Sequence, residues 1–413
     1  MRCAVITPIG PGHHERYAVA RASIDHAWQQ SRGPFDDLVH LPLPDPLGQF
    51  GRSRRRNDGI RMALDQGVDW LFFLDADDFL APQAFGAVAP YVGRFRAVWG
   101  QICEMSPGET VPKLREGQLG PTSDIVDILT HDPYLTIQMG HFVRTEAAAD
   151  VMFDEGMDTG EDFKYYLGLW SGGSCVKVSD IFFVNLRGHH STGPRSADGG
   201  QWRTEVQKVI CEAAIRHDLT VGVTLEGVDA RFAVTDPFDL IQQHHCRGVY
   251  FEQGVLQSLR DLVGRGKAIV DVGANVGNHV VFYGRHMESG RIHPFEPDPA
   301  KAALLARNIG LNGLGDVVDW RGVADPAASL ALDRAMGAAA VDFLRIDAGC
   351  PTFEVLAGAA ALIAANRPLL YVTLPDGTAP RLEDWLRRND YKRIGEARGP
   401  HAVGTLIGPL SAG

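Results

Sequence analysis

Residues 70–78 read Trp-Leu-Phe-Phe-Leu-Asp-Ala-Asp-Asp, a run of apolar side chains that ends in three carboxylates. The apolar part is typical of a central strand that is buried on both faces of a sheet. Ligands of open α/β sheets bind beyond the carboxyl ends of such strands. The carboxylates of Asp75, Asp77 and Asp78 are therefore predicted to crowd one sheet edge, where their mutual repulsion favours a bound cation.

Carboxylate oxygens suit a hard divalent ion such as Mg²⁺ or Mn²⁺. Such an ion can neutralise a nucleotide diphosphate leaving group, so this edge is suited to transfer from an activated phosphate donor. The stretch 77–82, Asp-Asp-Phe-Leu-Ala-Pro, also resembles a capped helix start. A purely structural role for these acids therefore stays open at this point.

Short apolar runs of the same kind recur along the chain and alternate with amphipathic stretches. They are residues 3–7, 38–41 and 70–74 in the first half and residues 268–272, 291–295, 343–346 and 369–374 in the second. Strands that alternate with helices predict parallel sheets. The predicted fold class is α/β, with two domains.

The domain boundary is predicted from turn-forming residues. Residues 187–201 are dense in Gly, Ser and Pro, and residues 219–234 alternate in character as a small hairpin would. We therefore expect one domain over 1–215 and a second over 216–413, in which 216–250 form a leading hairpin and helix.

Composition excludes several classes of protein. The 413 residues are 45% hydrophobic and 22% charged, which is ordinary for folded globular chains. The formal net charge of −11 opposes broad attraction to nucleic acid or anionic membranes, so no nucleic-acid partner is expected. The six cysteines are scattered singly, and no stretch has the length and apolarity of a membrane span. We expect a cytoplasmic protein, of unknown oligomeric state.

A second informative stretch lies at residues 268–279, Ala-Ile-Val-Asp-Val-Gly-Ala-Asn-Val-Gly-Asn-His. An apolar strand there runs into a glycine turn, which lets a ligand approach the backbone closely. About twenty residues further on, Phe-Glu-Pro-Asp-Pro at 295–299 places Glu296 where an acid accepts hydrogen bonds from ribose hydroxyls. The pattern predicts a nucleoside pocket, with a Rossmann-like turn without ligand as the structural alternative.

Three motifs of the first half occur in an informative order. Arg56-Asn57-Asp58-Gly59-Ile60 precedes the 70–78 stretch, and Glu161-Asp162 follows it. Their order and spacing resemble the family 2-like glycosyltransferases of the GT-A fold, over about residues 1–200. The resemblance implies a GT-A nucleotide-sugar transferase fold and inverting transfer of a sugar to a hydroxyl of a glycan or other acceptor.

The same resemblance implies roles for single residues. Those that would bind the nucleotide-sugar donor are Asp75, Arg56 and Asn57, and those that would hold Mn²⁺ or Mg²⁺ are Asp77, Asp75, His189 and His190. Asp162 would act as general base on the acceptor hydroxyl, with Glu161 beside it. The alternatives are helix-dipole stabilisation by the acidic pair and ordinary solvent exposure of the two histidines. The family's acidic stretch after the second strand is missing, so the base of the donor is not predicted.

The second half resembles the FkbM-like family of S-adenosylmethionine-dependent methyltransferases over about residues 217–410. The resemblance is carried by the two motifs at 268–279 and 295–299, together with Asn308 and Asn312. It implies a Rossmann-like class I methyltransferase fold and S-adenosylmethionine as cofactor. The residues that would bind this cofactor are Asp271, Gly273, Asn275, Gly277, Glu296 and Asp325.

A later family motif is only partly kept. Residues 345–356 preserve its register, but Gly349 and Thr352 stand where the family has acids. O-methylation needs a base or a polar group that takes the hydroxyl proton. Asp347 remains and could serve in that role.

Three hypotheses follow from these motifs. The first is a bifunctional enzyme that transfers a sugar and O-methylates the glycan. The second is a glycosyltransferase whose C-terminal domain is catalytically inactive and serves acceptor binding or assembly. The third is a binding protein for nucleotide-sugars or glycans, in which both catalytic sites are degenerate.

Overall fold

A computed structural model describes residues 1–187, 199–323, 325, 327–374, 378–398 and 403–410. The chain divides into two compact units, Met1–His217 and Asp218–Gly413. The sequence-predicted boundary after residue 215 lies near the end of the last helix of the first unit.

The first unit contains a large and a small sheet with helices between the strands. Its strands are β1 (Arg2–Ile9), β2 (Asp37–Pro44), β3 (Trp70–Phe73), β4 (Phe79–Leu80), β5 (Ala97–Trp99), β6 (Cys103–Met105), β7 (Lys113–Leu114), β8 (His141–Arg144), β9 (Cys175–Lys177) and β10 (Phe183–Leu186). Its α-helices are α1 (His14–Gln30), α2 (Gly51–Asp65), α3 (Ala84–Ala87), α4 (Ile125–Thr130), α5 (Thr145–Val151), α6 (Glu161–Ser171) and α7 (Gly199–Arg216).

The large sheet has the order β2-β1-β3-β8-β5-β9, and the small one β4-β10-β6-β7. In the large sheet β1 is parallel to β2 and β3, whereas β8 runs antiparallel to both of its neighbours. The carboxyl ends of β1, β2 and β3 therefore meet at one edge. The predicted α/β class is confirmed, and this unit has the mixed-sheet GT-A architecture.

Strand β3 is the centre of the hydrophobic core, as its sequence predicted. Trp70, Leu71, Phe72 and Phe73 are all fully buried. Phe72 packs on the side of the sheet covered by α1 and α3, and Phe73 contacts Tyr165 of α6 from the other side. Burial of each such ring contributes about 1.5–3 kcal/mol, which fixes the strand that carries Asp75 and Asp77.

One histidine lies in this core. His141 on β8 is fully buried and stacks on Trp99 with ring centroids 4.5 Å apart. Among the described residues neither of its ring nitrogens has a hydrogen-bond partner. Burial, with a smaller effect from Arg56, lowers the pKa of His141 to about 3. The imidazole is therefore neutral and acts as an aromatic core residue.

The second unit is built on one six-stranded sheet and a leading hairpin. Its strands are β11 (Thr220–Leu225), β12 (Val228–Ala233), β13 (Ala268–Val272), β14 (Arg291–Phe295), β15 (Phe343–Ile346), β16 (Leu369–Thr373), β17 (Tyr391–Arg398) and β18 (Val403–Pro409). Its α-helices are α8 (Leu240–Cys246), α9 (Gln253–Val263), α10 (Asn278–His286), α11 (Pro299–Leu311), α12 (Leu332–Met336), α13 (Thr352–Gly358), α14 (Ala360–Asn366) and α15 (Ala379–Asn389).

Sheet order in this unit is β14-β13-β15-β16-β18-β17. Strands β14, β13, β15 and β16 are parallel, and β18 is antiparallel to both β16 and β17. This is the Rossmann-like class I methyltransferase architecture that the sequence predicted. The predicted strands at 268–272, 291–295 and 343–346 have the observed bounds.

Two further observations concern the whole chain. All six cysteines are free thiols. Among the described residues, no helix combines the length and the apolar character needed to cross a bilayer.

Replacing His141 by Phe is expected to reduce the loss of stability in acid. Because the folded-state pKa of about 3 lies below the ordinary 6.5, the unfolded chain takes up the proton first as the pH falls below 6.5. Between about pH 6.5 and pH 5 this costs about 2 kcal/mol, a cost that the Phe variant does not have. Urea unfolding near pH 7 and pH 5 measures the difference.

The control for this experiment is His26→Gln, because His26 is exposed. Its stability should follow the wild-type pH dependence. A His141→Phe variant that loses as much stability in acid as the wild type would contradict a buried neutral imidazole.

Candidate functional site

The three carboxylates after β3 form a tight turn, but they do not point the same way. The Asp78 amide donates to the Asp75 carbonyl at 3.0 Å. The Asp78 side chain is buried and accepts hydrogen bonds from Asn185 Nδ2 and the Leu186 amide, both at 3.0 Å. Asp78 therefore joins the turn to β10.

The turn carries concentrated negative charge. Burial, followed by repulsion from Asp75 and Asp77, raises the pKa of Asp78 well above its usual value. Burial and then Asp75 also raise the pKa of Asp77. The Asp75 side chain remains 37% exposed. A cation at Asp75 and Asp77 would relieve this repulsion.

Arg56 connects the turn to a distant part of the chain. This residue of α2 is buried, with Nη2 2.8 Å from Asp75 Oδ1 and Nη1 3.5 Å from Glu161 Oε1. Although burial opposes its charge, Asp75 and Glu161 raise the pKa of Arg56 above its ordinary value. The guanidinium thus brings together one residue from each of the three sequence motifs.

Glu161 and Asp162 have different surroundings at the start of α6. Glu161 is fully buried, and its Oε1 lies 2.6 Å from Arg52 Nε in addition to the contact with Arg56. Asp162 is partly exposed, and its Oδ1 accepts from the Phe163 amide at 2.9 Å. Of the two acids, Glu161 is enclosed by guanidinium groups, and Asp162 is the one with access to a ligand.

Asn57 is held by contacts inside the protein. It is buried, its Nδ2 donates to the Phe153 carbonyl and to Glu155 Oε1, both at 2.9 Å, and its Oδ1 accepts from the Phe153 amide. These bonds tie α2 to the segment that follows α5. The Asn57 amide is thus engaged by the Phe153 backbone and the Glu155 carboxylate.

Two predicted metal ligands, His189 and His190, lie outside the described residues. Among the residues that are described, no three His, Cys, Asp or Glu side chains converge as a metal-holding group. Asp75 and Asp77 supply two carboxylates, which fit a Mg²⁺ or Mn²⁺ ion whose remaining ligands are donor phosphate oxygens and water.

In the second unit the glycine turn follows β13. Gly273 and Gly277 have φ values of +83° and +90°, and Asn275 also has a positive φ of 52°. A Cβ at Gly273 would lie 2.7 Å from the Cβ of Asp347 and 2.8 Å from Cys350 Sγ. Glycine is needed there because the turn packs directly on the segment after β15.

Glu296 fixes this turn from the neighbouring strand. Its side chain is buried, with Oε2 accepting from the Asn275 amide at 2.8 Å and Oε1 from the Asp298 amide at 2.9 Å. Each carboxylate oxygen has a second lone pair, so ribose hydroxyls can still donate to it.

Asp325, the last predicted cofactor residue, is exposed and caps a turn by accepting from the Ala327 amide at 2.9 Å. Val323 pairs with Glu296, which places the Asp325 segment beside this edge of the sheet.

A buried guanidinium also organises this second site. Arg345 Nη1 lies 2.7 Å from Asp271 Oδ1, and Nη2 contacts Asp347 Oδ1. Burial alone would raise the pKa of Asp347, but Arg345 and then His279 outweigh it and lower that pKa. Asp271 is fully buried, and its Oδ2 lacks a hydrogen-bond partner among the described residues.

The sequence analysis did not predict one acidic and one basic side chain of this site. Glu252 and His279 are both buried, with His279 Nε2 3.6 Å from Glu252 Oε2. The signal for His279 was its place directly after the glycine turn. Glu252 was harder to predict as a site residue, because it stands before α9 and comes near His279 only in the folded chain.

The residues present fit S-adenosylmethionine, whose sulfonium and ammonium groups are cationic. Two of the four carboxylates of the site share the Arg345 guanidinium, and Asp271 Oδ2 is buried without a hydrogen-bond partner among the described residues. The carboxylates are those of Asp271, Glu296, Asp347 and Glu252. Such an excess of negative charge favours a cationic ligand.

Comparison with known proteins gave similarities in structure only. No family model matches the chain, and no curated protein matches it. Residues 1–349 of S. aureus TarS, solved with UDP-GlcNAc, are 14% identical, with a TM-score of 0.40 over 53% of this chain and 68% of that one. M. jannaschii TYW2, solved with AdoMet, is 14% identical, with a TM-score of 0.31 over 46% and 84%. The ribosomal protein L11 methylase of Lactobacillus delbrueckii subsp. bulgaricus is 16% identical, with a TM-score of 0.30 over 38% and 77%.

Replacing Arg345 by Met is expected to destabilise the second unit by about 3–5 kcal/mol, because it leaves the buried Asp271 carboxylate without a cation. Urea unfolding followed by circular dichroism measures this loss. Arg388→Met is the matched control, since Arg388 is 75% exposed in its ion pair and should change stability by no more than about 0.5 kcal/mol. Equal effects of the two substitutions would show that Arg345 does not organise the site.

Proposed function

We propose that the first unit is a metal-dependent glycosyltransferase that moves a sugar from a nucleotide-sugar to an acceptor hydroxyl. The observation that carries this proposal is Arg56, which holds Asp75 and Glu161 on one guanidinium. It places the strand-end carboxylates beside the start of α6, where Asp162 lies. Such a transfer requires carboxylates that hold a metal ion and a separate carboxylate that takes the proton of the acceptor hydroxyl. The acidic turn after β3 and Asp162 are the proposed candidates for these two roles.

Asp75 and Asp77 are the proposed holders of the metal ion. Burial, and next repulsion from Asp75, raise the pKa of Asp77, and a divalent cation at these two carboxylates would relieve that unfavourable charge. When bound, Mg²⁺ or Mn²⁺ neutralises the negative charge that develops on the departing nucleoside diphosphate. Arg56 orients Asp75 through the 2.8 Å contact between Nη2 and Oδ1.

Asp162 is the proposed general base. In the transfer the acceptor hydroxyl gives its proton to this carboxylate, a new bond forms between the hydroxyl oxygen and the anomeric carbon, and the bond from that carbon to the diphosphate breaks. With no covalent intermediate, the stereochemistry inverts. Asp162 lies in the first turn of α6, and the neighbouring Glu161 is held in place by Arg52 and Arg56.

For the second unit we propose S-adenosylmethionine binding and O-methylation of a glycan hydroxyl, with Asp347 as the polar group facing that hydroxyl. The cofactor supplies the methyl group, and Asp271, Asn275 and Glu296 support its pocket.

The second candidate is a C-terminal unit that serves acceptor binding or assembly without methylating. It is favoured by the lowered pKa of Asp347, because a carboxylate that binds protons weakly is a poor base. Titration with S-adenosylmethionine separates the two candidates, since saturable binding favours the first and its absence the second.

Asp77→Asn is expected to abolish the part of nucleoside diphosphate binding that depends on Mn²⁺. The variant removes one of the two proposed metal carboxylates and should weaken binding by at least about tenfold. Calorimetric titration with UDP, GDP, dTDP and ADP, each with and without Mn²⁺, measures the effect. Asp65→Asn, at an exposed position of α2, is the control and should bind as the wild type does. Metal-independent binding in the wild type would refute the metal role.

Asp162→Asn and Glu161→Gln are expected to separate chemistry from positioning. Asp162→Asn should lower the rate of nucleoside diphosphate release from a panel of nucleotide-sugars by about 10²–10⁴-fold, with donor affinity and melting temperature unchanged.

Glu161→Gln should lower the melting temperature, because it leaves two guanidinium groups near a neutral amide. A fully active Asp162→Asn variant would exclude Asp162 as the base, and a wild type that binds donors without turnover would favour a binding protein.

A further inference from the structure

The Glu252–His279 pair is a buried site that neither predicted function uses. Glu252 and His279 are 8% and 4% exposed, and the imidazole Nε2 lies 3.6 Å from the carboxylate Oε2. That separation is too long for a good hydrogen bond. Among the described residues His279 Nε2 is accordingly without a hydrogen-bond partner. A buried polar atom left in this way points to a missing partner.

The fold holds this pair rigidly in place. Asn278, the residue before His279, donates from Nδ2 to the Phe251 carbonyl and accepts at Oδ1 from the Phe251 amide, both at 3.0 Å. His245 Nε2 contacts the same Oδ1 at 2.9 Å. Glu252 itself has a left-handed backbone, with φ of 55°. A left-handed backbone conformation at a residue other than glycine is strained, and such strain is often found at functional sites.

Glu252 and His279 face the remaining polar groups of the site. His279 is close enough to Asp347 to help lower its pKa. Burial, and next Glu252, raise the pKa of the Tyr371 hydroxyl to about 12. His279 lies in the first turn of α10, after the glycine turn that packs on Asp347, so the pair lies at the same carboxyl edge of β13 and β15 as Asp347.

Each of the other three carboxylates of this site has a guanidinium or backbone amide partner on at least one oxygen. Asp271 and Asp347 share Arg345, and Glu296 accepts two backbone amides. Among the described residues, the basic side chain that an ion pair joins to Glu252 is His279, and no arginine or lysine is paired with this carboxylate. A buried carboxylate without a guanidinium or ammonium partner is costly unless a cation is supplied.

From this charge balance we infer that Glu252, oriented by His279, recognises the cationic centre of S-adenosylmethionine and makes the pocket select it over the neutral thioether product. The inference rests on the proposed binding of S-adenosylmethionine by the second unit. The distinguishing chemistry is simple: the cofactor carries a sulfonium charge, and S-adenosylhomocysteine, left after methyl donation, does not. A pocket built in this way holds the cofactor and releases the product.

The test is calorimetric titration of the full chain with S-adenosylmethionine, S-adenosylhomocysteine and sinefungin, which carries a protonatable amine in place of the methylsulfonium. The wild type should bind the two cationic ligands at least about tenfold more tightly than the neutral one. Glu252→Gln should reduce this preference by about tenfold while S-adenosylhomocysteine affinity is kept. Glu288→Gln, at a 66% exposed carboxylate of the same unit, should leave all three affinities unchanged.

The outcomes distinguish failure of cofactor binding from failure of charge recognition by Glu252. A wild type that binds none of the three ligands overturns cofactor binding itself, and the inference falls with it. A wild type that binds all three equally, or a Glu252→Gln variant that keeps the full preference, overturns the inference and leaves cofactor binding standing. Should Glu252→Gln fail to fold, the wild-type comparison of sinefungin with S-adenosylhomocysteine still decides, since equal affinities exclude recognition of charge.

Discussion

The site of the first unit depends on one buried guanidinium. Arg56 would be costly to bury alone, and Asp75 and Glu161 are what make its burial tolerable. Because these three residues come from α2, from the turn after β3 and from the start of α6, their mutual need for charge neutralisation fixes three segments at once. The core around β3 provides the rigid base for this arrangement, and Asn57 ties α2 to the segment after α5.

The second unit uses the same physical solution with different residues. Arg345 collects Asp271 from β13 and Asp347 from the segment after β15, so that both strand ends are held by charge. The difference lies in the balance. In the first unit Asp75 of the acidic turn is 37% exposed, whereas in the second Glu252 is buried beside an imidazole. This difference is why we propose a hard metal with phosphate for the first site and an organic cation for the second.

The sequence predicted the strands well, because periodicity and apolar runs are local properties. The strand at 268–272 has the predicted bounds, and the 70–74 run differs by one residue. Which acids are enclosed inside the protein could not be predicted, because it depends on partners distant in the chain: Asp78 bonds to Asn185 and Leu186, and Glu161 to Arg52. The Glu252–His279 pair was missed for the same reason, since the bonds of Asn278 to Phe251 connect the two segments in the folded chain.

The chemistry of the second unit follows from what Arg345 does to Asp347. A guanidinium that lowers the pKa of a carboxylate stabilises its charge and thereby weakens it as a base. With Gly349 and Thr352 in place of acids, the segment after β15 is better built to orient a cationic cofactor than to remove a proton from a hydroxyl. Methyl transfer in this unit would therefore favour an acceptor hydroxyl that is already acidic or that loses its proton to water. The weak basicity of Asp347 thus restricts which acceptor hydroxyls could be methylated, and it places less restriction on which cofactor could bind.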